Sequence, residues 1–183
     1  MTKVQIPYRH EKGGHCGSGA LRDLTEWAEI AWESQTLDEG MVFALGGALD
    51  FCYVRSPQLT PQIYLVGRGS ELEQDYLTRV GAKFVVRTTD DPDAGWAFVT
   101  DEVDKGRPVM VWADIGELPY LRVRLHMSRH DIVIVGYDDE ERVAYVVDND
   151  RDTTQLVNYD NYTRARRRAA GPAPTPHTEC HVT

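Results

Sequence analysis

Residues 16–32 read CGSGALRDLTEWAEIAW, and their apolar side chains recur at steps of three and four residues. This spacing places those side chains on one face and predicts an amphipathic α-helix. Cys16, Gly17 and Ser18 stand at its start, where the backbone N–H groups of the first turn have no acceptor within the helix. The stretch therefore predicts a helix that carries a cysteine at the positive end of its dipole.

The rest of the chain predicts further helices followed by a mostly antiparallel sheet. Capping boxes at Thr36 and Ser70, each with a glutamate three residues later, and an Asp91-Pro92 start predict three more helices. These are expected at 36–46, 70–81 and 91–106, with a last short helix at 160–168. Strands are expected at 51–54, 62–66, 83–87, 108–113, 131–137, 143–147 and 155–157. The fold class is therefore α+β, with N-terminal helices packed on an antiparallel sheet.

The composition is that of a globular chain with an acidic balance. Its 183 residues fit one domain, and a content of 42% hydrophobic and 27% charged residues excludes a disordered or fibrous protein. A formal charge of -9 argues against nucleic-acid binding, and no apolar run approaches the ~18 residues of a membrane span. Three cysteines and no recognisable leader predict reduced thiols in a cytoplasmic protein. The domain is expected at 1–170, and the stretch 171–183, which begins Pro-rich, as a tail or linker.

Cys16 is the strongest candidate for a nucleophile. The thiolate is the reactive form of cysteine, and the positive end of a helix dipole stabilises it. The alternative is a packing role, because cysteine is among the most buried residue types. Cys52 lies in an apolar predicted strand and Cys180 in the expected tail, so both are interpreted as bystanders.

A nucleophilic cysteine requires a base and a group that orients the base. His130 begins a predicted strand whose hairpin partner ends in Asp148, Asn149 and Asp150. An odd turn length sets His130 opposite Asp148 or Asp150, and an even one sets it opposite Asn149. Each of the three side chains can accept from an imidazole N–H. The strand register therefore predicts a histidine with an orienting partner and leaves the choice of partner open.

Metal binding is not expected from the sequence. The six histidines form no HExxH motif, and no paired CxxC motifs occur. The glycine-rich stretches lack the preceding strand that a phosphate-binding loop or a dinucleotide fingerprint needs. We therefore expect no metal and no bound cofactor.

Four motifs in the chain resemble those of one family, in the same order. Residues 14–24, GHCGSGALRDL, resemble the opening motif of the N-terminal domain of the butirosin biosynthesis protein H family. Residues 39–46, EGMVFALG, resemble its second motif. The third is GRPV at 106–109 with Asp114 and LPY at 118–120, and the fourth is 126–140 with 145–148. Met127 departs from the pattern, since an aromatic residue is common at that position.

The resemblance implies a papain-like cysteine-protease fold of the bacteriocin-processing peptidase type. It implies that Cys16 is the nucleophile, His130 the base and Asp148 the orienter, while the register keeps Asp150 and Asn149 as alternative orienters. It also implies transfer of an acyl or aminoacyl group in antibiotic biosynthesis. The donor would be an acyl-phosphopantetheine thioester on an acyl carrier protein, and the acceptor a small-molecule amine. Relatives usually continue into a second domain, which this sequence does not show.

A further group of residues is expected to contact the substrate or the oxyanion. Backbone N–H groups at the helix start would hold the oxyanion, with help from His10 or His15. His10 lies six residues before Cys16, the offset at which papain-like enzymes keep an oxyanion glutamine. The full set is His10, His15, Gly17, Ser18, Asp114 and Tyr120.

Other functions fit the same residues. With water as acceptor the chain would be a cysteine peptidase or amidase, and with a substrate carbanion it would be a thioester-releasing cyclase. A protein of another class, a non-catalytic carrier-protein or peptide-binding module, would use the same groove without chemistry. The acyl group, the acceptor and the presence of a homodimer are left open by the sequence.

We predict that Cys16 is the only fast-reacting thiol of the chain. Its position at a helix start beside a base favours the thiolate, whereas Cys52 is expected inside an apolar strand. Iodoacetamide labelling at several pH values, resolved peptide by peptide with mass spectrometry, measures each rate. Equal rates at Cys16 and Cys180 would contradict a special activation of Cys16.

Overall fold

The computed structural model describes residues 2–31, 35–47, 50–57, 61–67, 69, 71–127, 129–167 and 177–182. Its helices are α1 (Cys16–Trp27), α2 (Glu39–Leu45), α3 (Leu72–Arg79), α4 (Pro92–Asp104) and α5 (Tyr159–Arg167), with a 3-10 turn at Ile115–Glu117. Its strands are β1 (Lys3–Gln5), β2 (Cys52–Arg55), β3 (Ile63–Val66), β4 (Phe84–Thr89), β5 (Val109–Ala113), β6 (His130–Asp138), β7 (Val143–Val147), β8 (Gln155–Asn158) and β9 (His177–Val182).

Seven of these strands form one sheet with antiparallel pairing throughout. The order is β4-β9-β5-β6-β7-β8. β1 also pairs with β6, against its second half, whereas β5 pairs with the first half. β2 and β3 form a separate hairpin. The arrangement confirms the α+β class and the antiparallel sheet that the sequence predicts.

Strand β6 contributes to two apolar cores because its side chains alternate between the faces of the sheet. Val133 and Val135 pack in one cluster with residues of α1, α2 and α3. Ile132 and Ile134 pack in another cluster with residues of α4 and α5. All nine residues of β6 are buried, as expected for a central strand covered on both faces. The start of α1 is thereby held against the first residues of β6.

Two helices test the predicted boundaries directly. Asp91 caps α4 by accepting from Asp93 N at 2.9 Å, and the helix begins at Pro92, as predicted. α1 ends at Trp27, earlier than expected, because Glu29 adopts a left-handed backbone with φ of 56° just after the last turn. Among the helices that the structure describes, none has the length and apolar character of a membrane span.

The starts of α2 and α3 differ from the predicted capping boxes. Asp38, not Thr36, caps α2, and its carboxylate accepts from Met41 N at 2.8 Å. Glu39 is therefore not used in a capping box, and its carboxylate faces the loop before α1 instead. The cap expected at Ser70 lies outside the described residues.

The last described strand corrects the expected division of the chain. The sequence predicts a tail or linker at 171–183, because prolines interrupt the first half of this stretch. The structure instead places His177–Val182 as β9, paired with β4 on one side and β5 on the other. The prolines within 171–176 do not prevent a strand further along the chain, because the six residues of β9 contain no proline. Residues 171–176 lie outside the described part of the chain.

We predict that Gly136→Ala weakens the sheet where β1 meets β6. A Cβ at this position would lie 2.8 Å from Tyr145 Cδ2 and 2.9 Å from Gln5 Cα, and it would also clash with the Val4 carbonyl oxygen. Backbone atoms cannot yield as a flexible side chain can, so the free energy of unfolding should fall by about 1–3 kcal/mol. Urea denaturation measures the change. Gly67→Ala is the control, because no described atom lies within 4 Å of the place that its new methyl group would take; equal losses would contradict the argument.

Candidate active site

The carboxylate of Glu39 fixes the loop that leads into Cys16. It accepts from Gly14 N at 2.9 Å, from His15 N at 2.9 Å and from Ser18 Oγ at 3.0 Å. Burial opposes the charge of Glu39, yet these donors lower the pKa of its carboxyl below the ordinary value. A charged acceptor from α2 thus holds the backbone before Cys16 and the side chain of Ser18 after it.

The side chain of His15 completes the start of α1. His15 is the N-cap residue, and its Nδ1 accepts from Ser18 N at 3.2 Å. Its ring also packs edge-on against Phe43, with 5.0 Å between ring centroids. His15 and Ser18, both expected to contact substrate or oxyanion, are therefore engaged in shaping the turn that presents Cys16.

His130 and Asp148 form a buried pair at the end of the sheet. His130 Nε2 lies 2.8 Å from Asp148 Oδ2, and the two side chains are 11% and 0% exposed. Cys16 is a second side-chain hydrogen-bond partner of His130. The structure thus brings Cys16, His130 and Asp148 together.

The strand register explains why Asp148 partners His130. Val133 pairs with Val147, and continuing that register places Asp150 opposite His130 and Asp148 at the diagonal position. Diagonal neighbours are within reach of an aromatic side chain. β7 ends at Val147 and the chain then turns, so that Asp150 is largely exposed and pairs with Arg151 at 2.6 Å.

The third residue that the register left open, Asn149, has a different contact. Its Nδ2 donates to the Gly13 carbonyl oxygen at 3.0 Å, and Gly13 N donates to the Asn149 carbonyl oxygen at 3.0 Å. Neither of these bonds involves His130. Asn149 therefore ties the loop before Cys16 to the loop that carries Asp148.

The protonation of His130 follows from its partners. Burial alone would lower the pKa of the imidazole, but the hydrogen bonds with Asp148 and Cys16 outweigh it and raise the pKa to about 10. Burial would likewise raise the pKa of Asp148, but the bond with His130 lowers it below its ordinary value. The pair is thus an imidazolium and a carboxylate near neutral pH.

His10 is not arranged as an oxyanion donor. Its Nδ1 lies 2.6 Å from Asp23 Oδ2, and its Nε2 lies 2.7 Å from the Arg151 carbonyl oxygen. Both partners are acceptors, so both ring nitrogens carry protons and both are used. The hydrogen bond with Asp23 raises the pKa of His10, although burial opposes the charge. The expected help to the oxyanion is replaced by a buried link between α1 and the loop after β7.

The remaining expected residues divide into two kinds. Asp114 is fully buried and caps the 3-10 turn, accepting from Gly116 N at 2.8 Å and contacting His126 Nδ1 at 3.1 Å. Tyr120, in contrast, reaches the candidate site, because its OH donates to Asp148 Oδ2 at 2.7 Å.

Sequence reasoning missed Asp131, which lies next to Cys16. Its Oδ2 is 3.5 Å from Cys16 Sγ, and the residue is fully buried. A Cβ on Gly17 would lie 2.9 Å from the same oxygen, which accounts for a glycine after the cysteine. Strand alternation could have indicated this contact, since Asp131 shares the face of Val133, on which α1 packs. Among the described residues, no cluster of three or more His, Cys, Asp or Glu side chains could hold a metal ion.

A cysteine at a helix start, beside a histidine–aspartate pair on an antiparallel sheet, is the arrangement of the papain-like fold. The fold is similar to that of a C39-like peptidase from Bacillus anthracis, with a TM-score of 0.64 and 16% identity over 100% of this chain and 98% of that one. It is also similar to a double glycine motif protease from an AMS/PCAT transporter, solved with its leader peptide. There the TM-score is 0.50 with 11% identity, over 99% and 94% of the two chains.

The sequence comparison is more specific than the structural one. Residues 15–149 match the family described as butirosin biosynthesis protein H, N-terminal. The chain belongs to this family. No curated protein sequence matches the chain.

We predict a pH dependence of stability that belongs to His130. The folded protein holds the imidazolium proton more tightly than the unfolded chain does, so this stabilisation is complete below about pH 6.5 and is lost as the pH rises to about 10. His130→Gln cannot titrate and removes the effect. The difference in free energy of unfolding between the two proteins should shrink steadily from pH 6.5 to 10. Parallel curves over this interval would contradict the raised pKa of His130.

Proposed function

We propose that the chain is a thiol-dependent acyltransferase. In this proposal it moves an acyl or aminoacyl group from an acyl carrier protein thioester, through an acyl-Cys16 intermediate, to a small-molecule amine. The observation that supports it most is the buried His130–Asp148 pair beside Cys16 in a chain of the butirosin biosynthesis protein H family.

The first half-reaction forms a thioester on Cys16. The thiolate attacks the donor carbonyl, a new C–S bond forms, and the C–S bond to phosphopantetheine breaks. The imidazolium of His130 supplies the proton that the leaving thiolate takes. One thioester replaces another, so the step is nearly thermoneutral and the intermediate can wait for its acceptor.

The second half-reaction transfers the group to the acceptor. The neutral imidazole of His130 removes a proton from the attacking amine, an amide bond forms, and Cys16 leaves as the thiolate. His130 is then an imidazolium again, as in the resting site. Asp148 holds one imidazole tautomer and stabilises the charge that develops on the ring in this step.

The oxyanion of each tetrahedral intermediate requires donors near the start of α1. His10 is used elsewhere, and His15 N donates to Glu39. The proposal therefore assigns this role to the backbone N–H groups of Cys16 and Gly17, which lie in the first turn of α1, where the helix dipole also favours negative charge.

We expect incubation with an acyl-loaded carrier protein to add the acyl mass to Cys16, as measured by intact-protein and peptide mass spectrometry. Cys16→Ala should abolish the adduct. Asp148→Asn should slow acylation by about 10²-fold or more, because an amide neither fixes the tautomer nor stabilises the imidazolium as well. Asp150→Asn is the matched control, in the same turn and largely exposed, and should change the rate little.

The other outcomes identify the other functions. Cys16 that stays unmodified while the carrier protein still binds indicates a non-catalytic binding module. An adduct that is lost to water, with no amide product when amines are added, indicates a hydrolase. A released ring indicates a cyclase. Equal and small effects of Asp148→Asn and Asp150→Asn would leave a cysteine–histidine dyad.

A further inference from the structure

Tyr120 and His130 bond to the same oxygen of Asp148. Tyr120 OH donates to Oδ2 at 2.7 Å, and His130 Nε2 lies 2.8 Å from this same atom. The other oxygen, Oδ1, accepts from Asp150 N at 3.2 Å. Since the carboxylate is fully buried, the rotation of its side chain about χ2 is determined by these three donors together.

The position of Tyr120 is itself fixed by Arg151. The guanidinium donates from Nη2 to the Tyr120 carbonyl oxygen at 2.9 Å and lies 5.7 Å from the centroid of the Tyr120 ring. Arg151 is held in turn, because its backbone N donates to the Asp148 carbonyl oxygen at 3.0 Å and its own carbonyl oxygen contacts His10 Nε2 at 2.7 Å. The phenol thus approaches Asp148 from a backbone that is anchored at several points.

Tyr120 remains a donor over the working pH range. Burial has the largest effect on the pKa of its hydroxyl, and the adjacent charge of Asp148 acts in the same direction. Together they raise this pKa well above the ordinary value. A hydroxyl that donates its one proton to Asp148 has none left for an oxyanion. The contact therefore does not fit the role of an oxyanion donor for Tyr120.

We propose that Tyr120 is a positioning residue that locks the carboxylate of Asp148 in the rotamer that orients His130. This inference rests on the proposed function only in taking Cys16, His130 and Asp148 as the reacting group and its partners. Without the phenol proton, Oδ2 has one donor instead of two, and the carboxylate can turn away from the imidazole. His130 then loses both its fixed tautomer and part of the charge that favours the imidazolium.

The direction of the pKa change separates positioning from a simple charge effect. The phenol draws negative charge away from Oδ2, so if it acted through charge alone, its loss would strengthen the field at His130 and raise the imidazole pKa. Loss of positioning weakens the hydrogen bond between His130 and Asp148 and lowers that pKa. The two explanations predict opposite shifts for one conservative substitution.

The experiment titrates His130 by NMR of the imidazole nitrogens in Tyr120→Phe and measures Cys16 labelling by iodoacetamide in the same samples. We expect the midpoint of His130 to fall by about one pH unit, which is a tenfold change in its protonation equilibrium. The pH profile of Cys16 labelling should move to lower pH with it. Arg151→Gln, which keeps the phenol but removes its anchor, should shift the midpoint in the same direction by less.

The control is Tyr137→Phe, which removes an equally short bond between tyrosine and aspartate. Tyr137 OH donates to Asp104 at 2.7 Å at the opposite end of β6. The Tyr137→Phe variant should lose stability as Tyr120→Phe does, and its His130 titration should be unchanged. A raised midpoint in Tyr120→Phe would overturn positioning, and an unchanged midpoint with a lower melting temperature would show a structural bond only.

This test does not depend on the acyl substrate. The expected shift in Tyr120→Phe, in a protein that never forms acyl-Cys16, would contradict the proposed function and keep the positioning role. If Cys16 is acylated, and Tyr120→Phe changes neither the acylation rate nor the His130 midpoint, the proposed function stands and the positioning role of Tyr120 is contradicted.

Discussion

The buried imidazolium–carboxylate pair of His130 and Asp148 is the constraint on which the arrangement of this protein depends. Moving two charges out of water costs free energy that their mutual attraction repays only with close geometry and further hydrogen bonds. The structure meets this requirement with donors to both oxygens of Asp148 and with two neighbouring strands that hold the pair at 2.8 Å. One ion pair thus lies at the end of the sheet, and α1, which packs on the sheet, places Cys16 next to it.

Cys16 is held near this pair by contacts from three parts of the chain. α2 supplies Glu39 to the loop before Cys16, and the turn after β7 supplies Asn149 to Gly13 in the same loop. His10, in the segment before α1, reaches Asp23 within that helix. Because these bonds are made by polar groups of the loop backbone and by buried side chains, a shift of any one element moves Cys16 relative to His130. The proposed reaction requires such precision, because a nucleophile and its base act only at close range.

Much of this could be predicted from the sequence, for identifiable reasons. The periodicity of apolar residues predicts α1, and the Asp91-Pro92 pair predicts the start of α4. Both signals come from residues that are close together in the sequence. Strand alternation could limit the orienter to Asp148, Asn149 or Asp150 but could not choose among them, since the choice depends on where the chain turns after Val147. The role of His10 was beyond sequence reasoning, because its partners lie thirteen residues away in Asp23 and far along the chain in Arg151. Long-range contacts of this kind leave no periodic signal.

The position of β9 has a consequence for how the chain folds during synthesis. This strand is the last described element in chain order, yet it lies between β4 and β5. Among the strands that the structure describes, no other joins β4 to the rest of the sheet. Until residues 177–182 have left the ribosome, the outer edge of β5 has unpaired backbone groups and β4 has no neighbour in the sheet. The nascent protein therefore exposes two strand edges that can pair with other chains. Their protection comes only with the last strand that the structure describes, so the sheet closes after Cys16, His130 and Asp148 have all been translated.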